Sequence, residues 1–312
     1  MQQEMKYIYQ VYLDGSFSKA AEHLYITQPA LSIAIQKVEN TIGMPLFDRS
    51  TRPITLTPAG GIYIDAIKRT LFMEMEMEQQ LTDIRELNSG RIRLGGSHYI
   101  NAYILPDILS AFSRKYPGIQ IEMHEGSSSR MAQYLTERKV DLTLNCSPEL
   151  LQNFERYPAF YDHILLAIPM SFSINHELKE YRLTAQDILL KKHLADDCPA
   201  ASLSEFKNLE FIILSEGNNL YDRSTALFEQ AGFTPKIKMQ ISQLVTAYHL
   251  ANHAMAATFI SDRLITAPND RLYYYRLDSE LADRLFYLLL PDRNYTPLAV
   301  KAFIRHFTEA IA

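Results

Sequence analysis

The sequence predicts a multidomain α/β protein: a winged helix-turn-helix near the N-terminus, a long helix, and a C-terminal region in which strands and helices alternate. Three patterns predict this class, namely short helices followed by a strand–turn–strand signal, one extended helical period, and β-rich runs that alternate with helices. The 312 residues are 47% hydrophobic, which is enough for more than one buried core. The predicted bounds of the three parts are 1–60, 58–88 and 91–312.

The formal net charge of −5 argues against a protein that binds polyanions through an overall positive charge. The first sixty residues are balanced as well. They carry five bases (Lys6, Lys19, Lys37, Arg49, Arg52) and five acids (Glu4, Asp14, Glu22, Glu39, Asp48). Any contact of this region with nucleic acid must therefore depend on the placement of a few charges and on the pairing of two chains.

The cysteines, the histidines and the N-terminal residues argue against disulfide-rich, metal-binding and membrane proteins. Cys146 and Cys198 are too few for a disulfide framework or a four-thiolate metal site within one chain. A buried small residue with a surface thiol, and a single redox pair, both stay open. The nine histidines include no HExxH pair, and we expect neither a metal nor a cofactor.

No basic segment precedes an apolar core at the N-terminus, and no apolar run is long enough to span a bilayer. We therefore expect a cytoplasmic protein without membrane contact.

The helices of residues 5–43 are separated by recognisable breaks. The first break falls at Asp14-Gly15-Ser16, and either Ser16 or Ser18 can cap the next helix, which continues through Leu24. Thr27 can cap a further helix, whose first turn tolerates Pro29 and which ends near Ile42. The two capped helices form a helix-turn-helix.

A wing and a long helix follow. Residues 46–57 suggest two short strands around a basic turn, after Gly43-Met44-Pro45 ends the preceding helix. From Pro58 to about Leu87, apolar positions recur at mostly three- to four-residue spacing over roughly 45 Å at about 1.5 Å per residue. Met73–Glu78 alternates with period two and is also compatible with a strand, but methionine and glutamate favour the helix.

The C-terminal region begins after a linker at Asn88-Ser89-Gly90. Its β-rich runs alternate with helical segments, which is typical of α/β subdomains. The predicted strands are Ile92–Gly95, Ile119–His124, Asp141–Asn145, Ile164–Pro169, Phe211–Leu214, Lys236–Ile241, Thr258–Ser261 and Leu285–Leu290.

The helix-turn-helix has both a locking face and a free polar face. Small and apolar residues suit the crossing of the two helices: Ala20, Ala21, Leu24, Ile26, Leu31, Ala34 and Val38. On the second helix, Gln28, Ser32 and Gln36 recur at i, i+4 and i+8, and Pro29, Ile33 and Lys37 form the adjoining row. These two rows are predicted to point outward.

The N-terminal sixty residues resemble the LysR-type transcriptional regulators over almost their whole length. The matching segments are Gly15–Leu24, Thr27–Ser32, Val38-Glu39, Gly43, Pro45–Phe47, Arg49, Leu56-Thr57 and Ala59-Gly60. The resemblance implies that the helix from Gln28 enters the major groove of DNA and that the wing approaches the minor groove. Glutamine can read adenine through two hydrogen bonds, and arginine suits a narrow minor groove. It implies DNA contacts by Gln28, Pro29, Ser32, Ile33, Gln36, Arg49 and Arg52.

Two of these residues carry open questions. Ile33 departs from the family pattern, in which arginine or another polar residue is common, so base preference at this position differs from that of many relatives. Arg49 has two interpretations, either a phosphate contact or a structural brace for the wing.

The same resemblance implies that residues from about Arg91 form an effector-binding domain similar to type 2 periplasmic binding proteins, with two α/β subdomains joined by two crossover strands. Subdomain I is expected at about 91–163 and 268–312, and subdomain II at about 164–267. Matching segments include Arg91–Ser97, Tyr116–Ile119 and Phe211–Leu214. Two segments depart: Ala254–Ser261 replaces a glycine-rich turn before the last crossover, and residues 179–201 look inserted on the surface of subdomain II, with a plausible helix at Thr184–His193.

The cleft between such subdomains presents strand ends and helix N-termini, whose free N–H groups favour carboxylates or other anions. The predicted effector contacts follow strands or lie beside a crossover, and each could instead be an ordinary cap or turn residue. They are Ser97, His98, Ser127, Ser128, Asn145, Asn218, Asn219 and Thr258.

The predicted function is therefore a DNA-binding regulator whose activity a small-molecule effector modulates. Its expected partners are double-stranded DNA, the effector, a second copy in a dimer or a tetramer formed as a dimer of dimers, and RNA polymerase if the protein is an activator. An enzyme built on Ser97-His98 is disfavoured, because adjacent residues seldom face each other and no GxSxG motif is present. A regulator without ligand response stays an alternative.

Overall fold

The computed structural model describes residues 3–85, 90–293 and 295–311. Its contacts divide the chain into two compact units on either side of Arg85, here called the N-terminal and the C-terminal unit. Each unit has its own hydrophobic core.

The N-terminal unit is built from helices whose ends carry the predicted stop and start signals. Ser16 Oγ accepts a hydrogen bond from Lys19 N, and Thr27 Oγ1 accepts one from Ala30 N, each at 3.4 Å. Gly43 ends the third helix with φ of 78°, a left-handed conformation that glycine adopts without steric cost. The helices are α1 (Gln3–Asp14), α2 (Phe17–His23), α3 (Gln28–Ile42) and α4 (Pro58–Arg85).

The core of this unit joins all four helices to the wing. Its buried residues are Ile8, Val11, Phe17, Ala20, Ala21, Leu31, Ile35, Leu46, Phe47, Ile64 and Ile67. Strands β1 (Phe47–Asp48) and β2 (Thr55–Leu56) pair antiparallel and confirm the predicted wing. At Gly60 any side chain would collide with the wing, because an added Cβ would lie 1.9 Å from the Leu46 carbonyl oxygen.

Helix α4 includes Met73–Glu78, so the helical interpretation of that segment is confirmed. Its 28 residues extend about 42 Å at about 1.5 Å per residue. The predicted end of the helix at Leu87, and Asn88 and Ser89 of the predicted linker, lie outside the described residues.

The C-terminal unit contains one continuous mixed sheet in the order β4-β3-β5-β12-β6-β10-β8-β9, with β11 beside β6 and β7 beside β11. The strands are β3 (Gly90–Gly96), β4 (Ile119–Glu125), β5 (Leu142–Asn145), β6 (Glu155–Pro169), β7 (Arg182–Leu183), β8 (Glu210–Leu214), β9 (Lys236–Ile241), β10 (Ala257–Ser261), β11 (Leu272–Arg276) and β12 (Asp283–Leu290). The helices are α5 (Leu105–Lys115), α6 (Ser128–Thr136), α7 (Pro148–Leu151), α8 (Ile174–Glu177), α9 (Ala185–Leu189), α10 (Asn219–Gln230), α11 (Leu244–Asn252) and α12 (Leu298–Ile311), and a π-helical turn (Ile100–Ile104) precedes α5.

Strand β6 is shared by two halves of the sheet. Residues 155–163 pair with β12, and residues 164–169 pair with β10 and β11. Subdomain I therefore consists of β3, β4, β5 and β12 with the first part of β6, and subdomain II consists of β7 to β11 with the last part. The chain crosses between them along β6 and returns through residues 277–283 into β12. This arrangement confirms the predicted fold class.

Two local predictions were wrong. Residues from about 268 were assigned to subdomain I, but β11 pairs with the last part of β6 and with β7, so it belongs to subdomain II. Residues 179–201 were expected on the surface, and residues 189–192 and 194–197 are exposed there, while Leu183, Ala185 and Ile188 are buried and attach the segment to the core. The predicted helix at Thr184–His193 is interrupted at Lys191, whose φ is 58°.

Candidate DNA interface and ligand cavity

Helix α3 separates its two faces as the sequence predicts. Leu31, Ile35 and Glu39 are buried against the core, whereas Gln28, Pro29, Ile33 and Gln36 are exposed and Ser32 is half-buried. Ile33 is the notable apolar member of the outward face, with 68% of its surface exposed. Arg52 is exposed in the turn of the wing. These predicted DNA contacts are available to a partner.

Arg49 ties the wing to α3. Its guanidinium donates to Glu39 Oε2 at 3.0 Å and to Ser32 Oγ at 3.4 Å, and it lies 4.8 Å from the centroid of the Phe17 ring. Glu39 also accepts the backbone N–H of Leu46 through Oε1 at 2.8 Å. The brace interpretation of Arg49 thus has direct contacts in this structure, and the phosphate contact stays a prediction.

Sequence analysis missed the role of Glu39, which it counted only as one acid of a balanced region. The available signal was its position on the apolar side of α3, because a carboxylate among core residues needs a partner.

A cavity of about 300 Å³ lies between subdomains I and II. The structure brings six of the eight predicted effector contacts to its wall: Ser97, His98, Ser127, Ser128, Asn218 and Asn219. Their shared position at strand ends and helix starts explains why they converge.

The other two predicted contacts, Asn145 and Thr258, lie outside the wall and are buried. Asn145 Nδ2 donates to the Ser128 carbonyl at 3.4 Å, and Asn145 Oδ1 accepts Ser147 N at 2.9 Å. Thr258 donates to the Ile212 carbonyl of the neighbouring strand at 2.9 Å. Thr258 sits inside the sheet because β10 pairs with β6 and β8 on both sides, whereas the return crossover lies further along the chain.

Three helix N-termini face the cavity, those of α6, α10 and α11. Ser127 caps α6 by accepting Arg130 N at 3.3 Å. Asn218 and Gln243 precede α10 and α11 and make no side-chain cap bond. The first N–H groups of a helix lack intrahelical acceptors and carry the positive end of the helix dipole, so this wall favours an anionic group.

The floor of the cavity contains a buried ion pair between the two crossover strands. Arg284 of β12 donates through Nε to Asp162 Oδ2 of β6 at 2.9 Å and through Nη2 to the same oxygen. Tyr99 donates to Asp162 Oδ1 at 2.9 Å, and Ser261 also donates to that oxygen. Burial and the neighbouring Asp162 carboxylate raise the pKa of Tyr99 well above its usual value, so its phenol stays protonated.

The same network reaches both subdomains. Tyr99 comes from subdomain I and Ser261 from subdomain II, and their hydroxyl oxygens are 2.7 Å apart. Asn219 Oδ1 accepts from Arg284 Nη1 at 3.2 Å and from Cys146 Sγ at 3.0 Å. Burial raises the pKa of the Cys146 thiol to about 11, which suppresses the reactive thiolate.

Sequence analysis did not identify this network. Asp162 and Arg284 are 122 residues apart, and each was hidden in or beside a predicted strand. The signal that could have found them is a charged residue at an inward-facing position of a strand, since burial requires a charged partner.

Two family models match the chain. One, described as "Bacterial regulatory helix-turn-helix protein, lysR family", matches residues 2–61, and the other, "LysR substrate binding domain", matches residues 85–312. The chain belongs to the LysR family. It is a DNA-binding transcriptional regulator with an effector-binding domain.

Curated relatives of this LysR-type regulator cover nearly the whole chain. The "Uncharacterized HTH-type transcriptional regulator YcgK" of Bacillus subtilis is 24% identical over 98% of this chain and 94% of its own length. A "Probable RuBisCO transcriptional regulator" of Trichormus variabilis is 25% identical over 96% of this chain and 85% of its own length.

Solved structures share the fold. The full-length LysR regulator CbnR, in a complex with its target DNA, has a TM-score of 0.62 at 17% identity and covers 100% of both chains. The effector-binding domain of QuiR in complex with shikimate has a TM-score of 0.58 at 16% identity, over 72% of this chain and 97% of that one. In the described part of the chain, no helix is long and apolar enough to cross a membrane, and no group of three or more metal-ligating side chains occurs.

Proposed function

We propose that this LysR-type regulator is a cytoplasmic protein that binds a small molecule with a carboxylate or another anionic group and converts that binding into a change of DNA contact, without catalysing a reaction. The observation that supports this proposal is the cavity at the junction of the two subdomains, where three helix N-termini converge above a network shared by both. Ser97 and Ser128 supply hydroxyls from subdomain I, and Asn218 supplies an amide from subdomain II.

The proposed mechanism is thermodynamic linkage. A ligand that contacts both subdomains stabilises the relative position of the subdomains in which both can contact it. The difference in ligand-binding free energy between this position and others can then shift the spacing between the two DNA-binding units of a dimer. The Tyr99–Ser261 hydrogen bond joins the two subdomains beneath the cavity, so we expect their relative motion to be smallest there.

Self-association is supported by α4. Met73, Met77, Leu81 and Ile84 recur at helical spacing and are each more than half exposed. An exposed apolar stripe of this kind favours pairing with a second α4, and a two-fold dimer then presents two copies of α3 to half-sites about 34 Å apart, or a multiple of that distance. We extend this to a homotetramer formed as a dimer of dimers, and to contact with RNA polymerase if the protein activates transcription.

A footprint on the DNA that flanks the protein's own gene tests the function. We expect protection of a pseudo-palindrome by the full-length protein, and a change in its extent when one member of a panel of organic acids is added. Ser128→Glu, which places a negative charge at the N-terminus of α6, should keep the footprint and lose the response. Ser113→Glu on the exposed side of α5 is the matched control and should keep both.

Each result separates one part of the proposal. Absence of any protected site would refute DNA binding near the gene. Protection that no compound changes would favour a regulator without ligand response. An unchanged response in Ser128→Glu would move the effector away from this cavity.

A further inference from the structure

The rim of the cavity carries two carboxylates that no lysine or arginine neutralises within the described lining. Glu125 ends β4 in subdomain I, and Glu216 follows β8 in subdomain II; both are exposed. Arg284 is the one arginine of the described lining, and its charge is offset by Asp162. His98 lies 3.1 Å from Glu125 and is charged only when protonated. With His98 neutral, these groups leave the cavity with two net negative charges.

The two carboxylates belong to loops that meet across the cavity. Gly217 adopts φ of 84°, and a Cβ at this position would lie 3.7 Å from Ser127 Oγ and 3.9 Å from Ser129 Oγ. The Glu216-Gly217 turn of subdomain II therefore lies against the Glu125–Ser127 loop of subdomain I. We call these two loops the lips of the cavity.

An acid and a base lie next to each other behind the lip of subdomain II. Asp222 lies in the first turn of α10, and its pKa is raised by burial and by the charges of Glu149 and Glu216. Arg223, the neighbouring base, directs its Nη1 to the Leu281 carbonyl at 3.3 Å and does not line the cavity. Neither Asp222 nor Arg223 lines the cavity, so Glu216 sets the charge of its wall on this side, and that charge attracts a cation.

The cavity thus makes two opposite electrostatic demands. The N-termini of α6, α10 and α11 favour a carboxylate. A simple carboxylate in the same space meets Glu125 and Glu216, and like charges a few ångströms apart repel by about 1 kcal/mol even at the dielectric constant of water. A ligand that carries both a carboxylate and an ammonium group satisfies both demands.

We infer that the effector is a small zwitterion of the amino-acid type, whose ammonium group bridges Glu125 and Glu216 and whose carboxylate lies at the helix N-termini. This inference rests on the proposed function and narrows its ligand class. An ammonium group between the lips replaces their repulsion by two attractions, so it also draws the subdomains together.

The remaining wall selects the ligand's side chain. Leu144, Leu214, Leu220 and Phe286 give the cavity an apolar surface beside its polar rim. Its volume of about 300 Å³ is at the small end of the range for ligand sites, which begins at about 300 Å³. An amino acid with an apolar side chain matches this space and surface.

The test is calorimetric titration of the full-length protein with apolar L-amino acids (alanine, valine, norvaline, leucine, methionine, phenylalanine). Each is compared with its deaminated acid and its decarboxylated amine. We expect at least one amino acid to bind, and each of its two analogues to bind at least tenfold more weakly. Glu216→Gln should weaken that amino acid about fivefold, consistent with the ~1 kcal/mol upper range for an exposed ion pair, and should leave the deaminated acid unchanged or tighter. Glu229→Gln, an exposed position of α10 outside the cavity, is the matched control.

Two results overturn the inference. The first is a deaminated acid that binds as tightly as its amino acid, with Glu216→Gln improving both equally. The second is a footprint that responds to an organic acid when no amino acid binds. Either result leaves the regulator and its cavity in place, whereas loss of all responses to every compound contradicts the proposed function itself.

Discussion

Each unit has an arginine–carboxylate pair that contacts residues of its candidate site, and the two pairs differ in their access to water. The side chains of Arg49 and Glu39 are 44% and 10% exposed, whereas those of Arg284 and Asp162 are 4% and 0% exposed. Arg49 braces Ser32 on the DNA-facing helix, and Arg284 holds Asn219 at the cavity. The same chemistry therefore operates in two dielectric environments.

The difference in solvent exposure predicts that the two ion pairs differ in how easily their arginines can change partner. A half-exposed guanidinium can exchange a carboxylate for a phosphate at small cost, since water solvates it during the exchange. For the Arg284–Asp162 pair, which is almost fully buried, such an exchange is costly, because separation of the partners leaves a bare charge in a low-dielectric interior. We therefore expect the Arg49–Glu39 pair to change its contacts when DNA binds. The Arg284–Asp162 pair should stay intact in every state of the folded protein.

The largest effect should come from breaking the buried pair. Arg284→Met leaves the Asp162 carboxylate without its cation and should lower the free energy of unfolding of the C-terminal unit by ~3–5 kcal/mol. Asp162→Asn combined with Arg284→Met removes both charges and should recover more than half of that loss. Chemical denaturation of the three proteins measures both values. A single-variant loss below ~1 kcal/mol would show that water reaches the pair.

The same contrast explains what sequence could predict. In the N-terminal unit the caps Ser16 and Thr27 and the stop at Gly43 act within a few residues of their own positions, so their local signals were sufficient. The six cavity residues were also predictable, because each follows a strand or precedes a helix. Local sequence therefore determined which residues reach the two functional surfaces.

Interactions between distant strands were not predictable in this way. Asp162 and Arg284 meet because β6 and β12 pair in one register, which no local signal specifies. Strand β11 carries a local signal in its three tyrosines, but its assignment to subdomain II depends on its pairing with β6 and β7, and Thr258 was misplaced because its strand has neighbours on both sides. The residues that support a site depend on sheet register, whereas the residues that line it depend on local turns and caps.

A second prediction compares base reading with general attraction on the DNA-facing surface. Gln28→Ala should lose about 1–3 kcal/mol of discrimination at one base pair, because its amide can bond a base edge at two points. Arg52→Ala should weaken binding evenly across sequences, since its predicted contribution is to wing placement and charge. Titration against single-base variants of the operator at fixed salt separates the two. Equal losses for Gln28→Ala on every operator would remove it from base readout.

The smallest effect should come from the exposed brace, and it can distinguish the two roles of Arg49. Arg49→Ala should lower the stability of the N-terminal unit by only about 1 kcal/mol, because the pair is partly solvated. If bracing is its role on DNA as well, Glu39→Gln, which removes the partner's charge and replaces one acceptor oxygen by an amide donor without facing outward, should reduce operator affinity about as much as Arg49→Ala. If Arg49 changes partner and contacts a phosphate, Arg49→Ala alone should reduce affinity, and the slope of log affinity against log salt should fall by about one.

Arg49→Lys distinguishes the two roles further, because lysine keeps a phosphate contact but cannot bond Glu39 and Ser32 together through a planar guanidinium. Full operator affinity in Arg49→Lys would therefore favour the phosphate contact. A loss of affinity equal to that of Arg49→Ala would favour the structural brace.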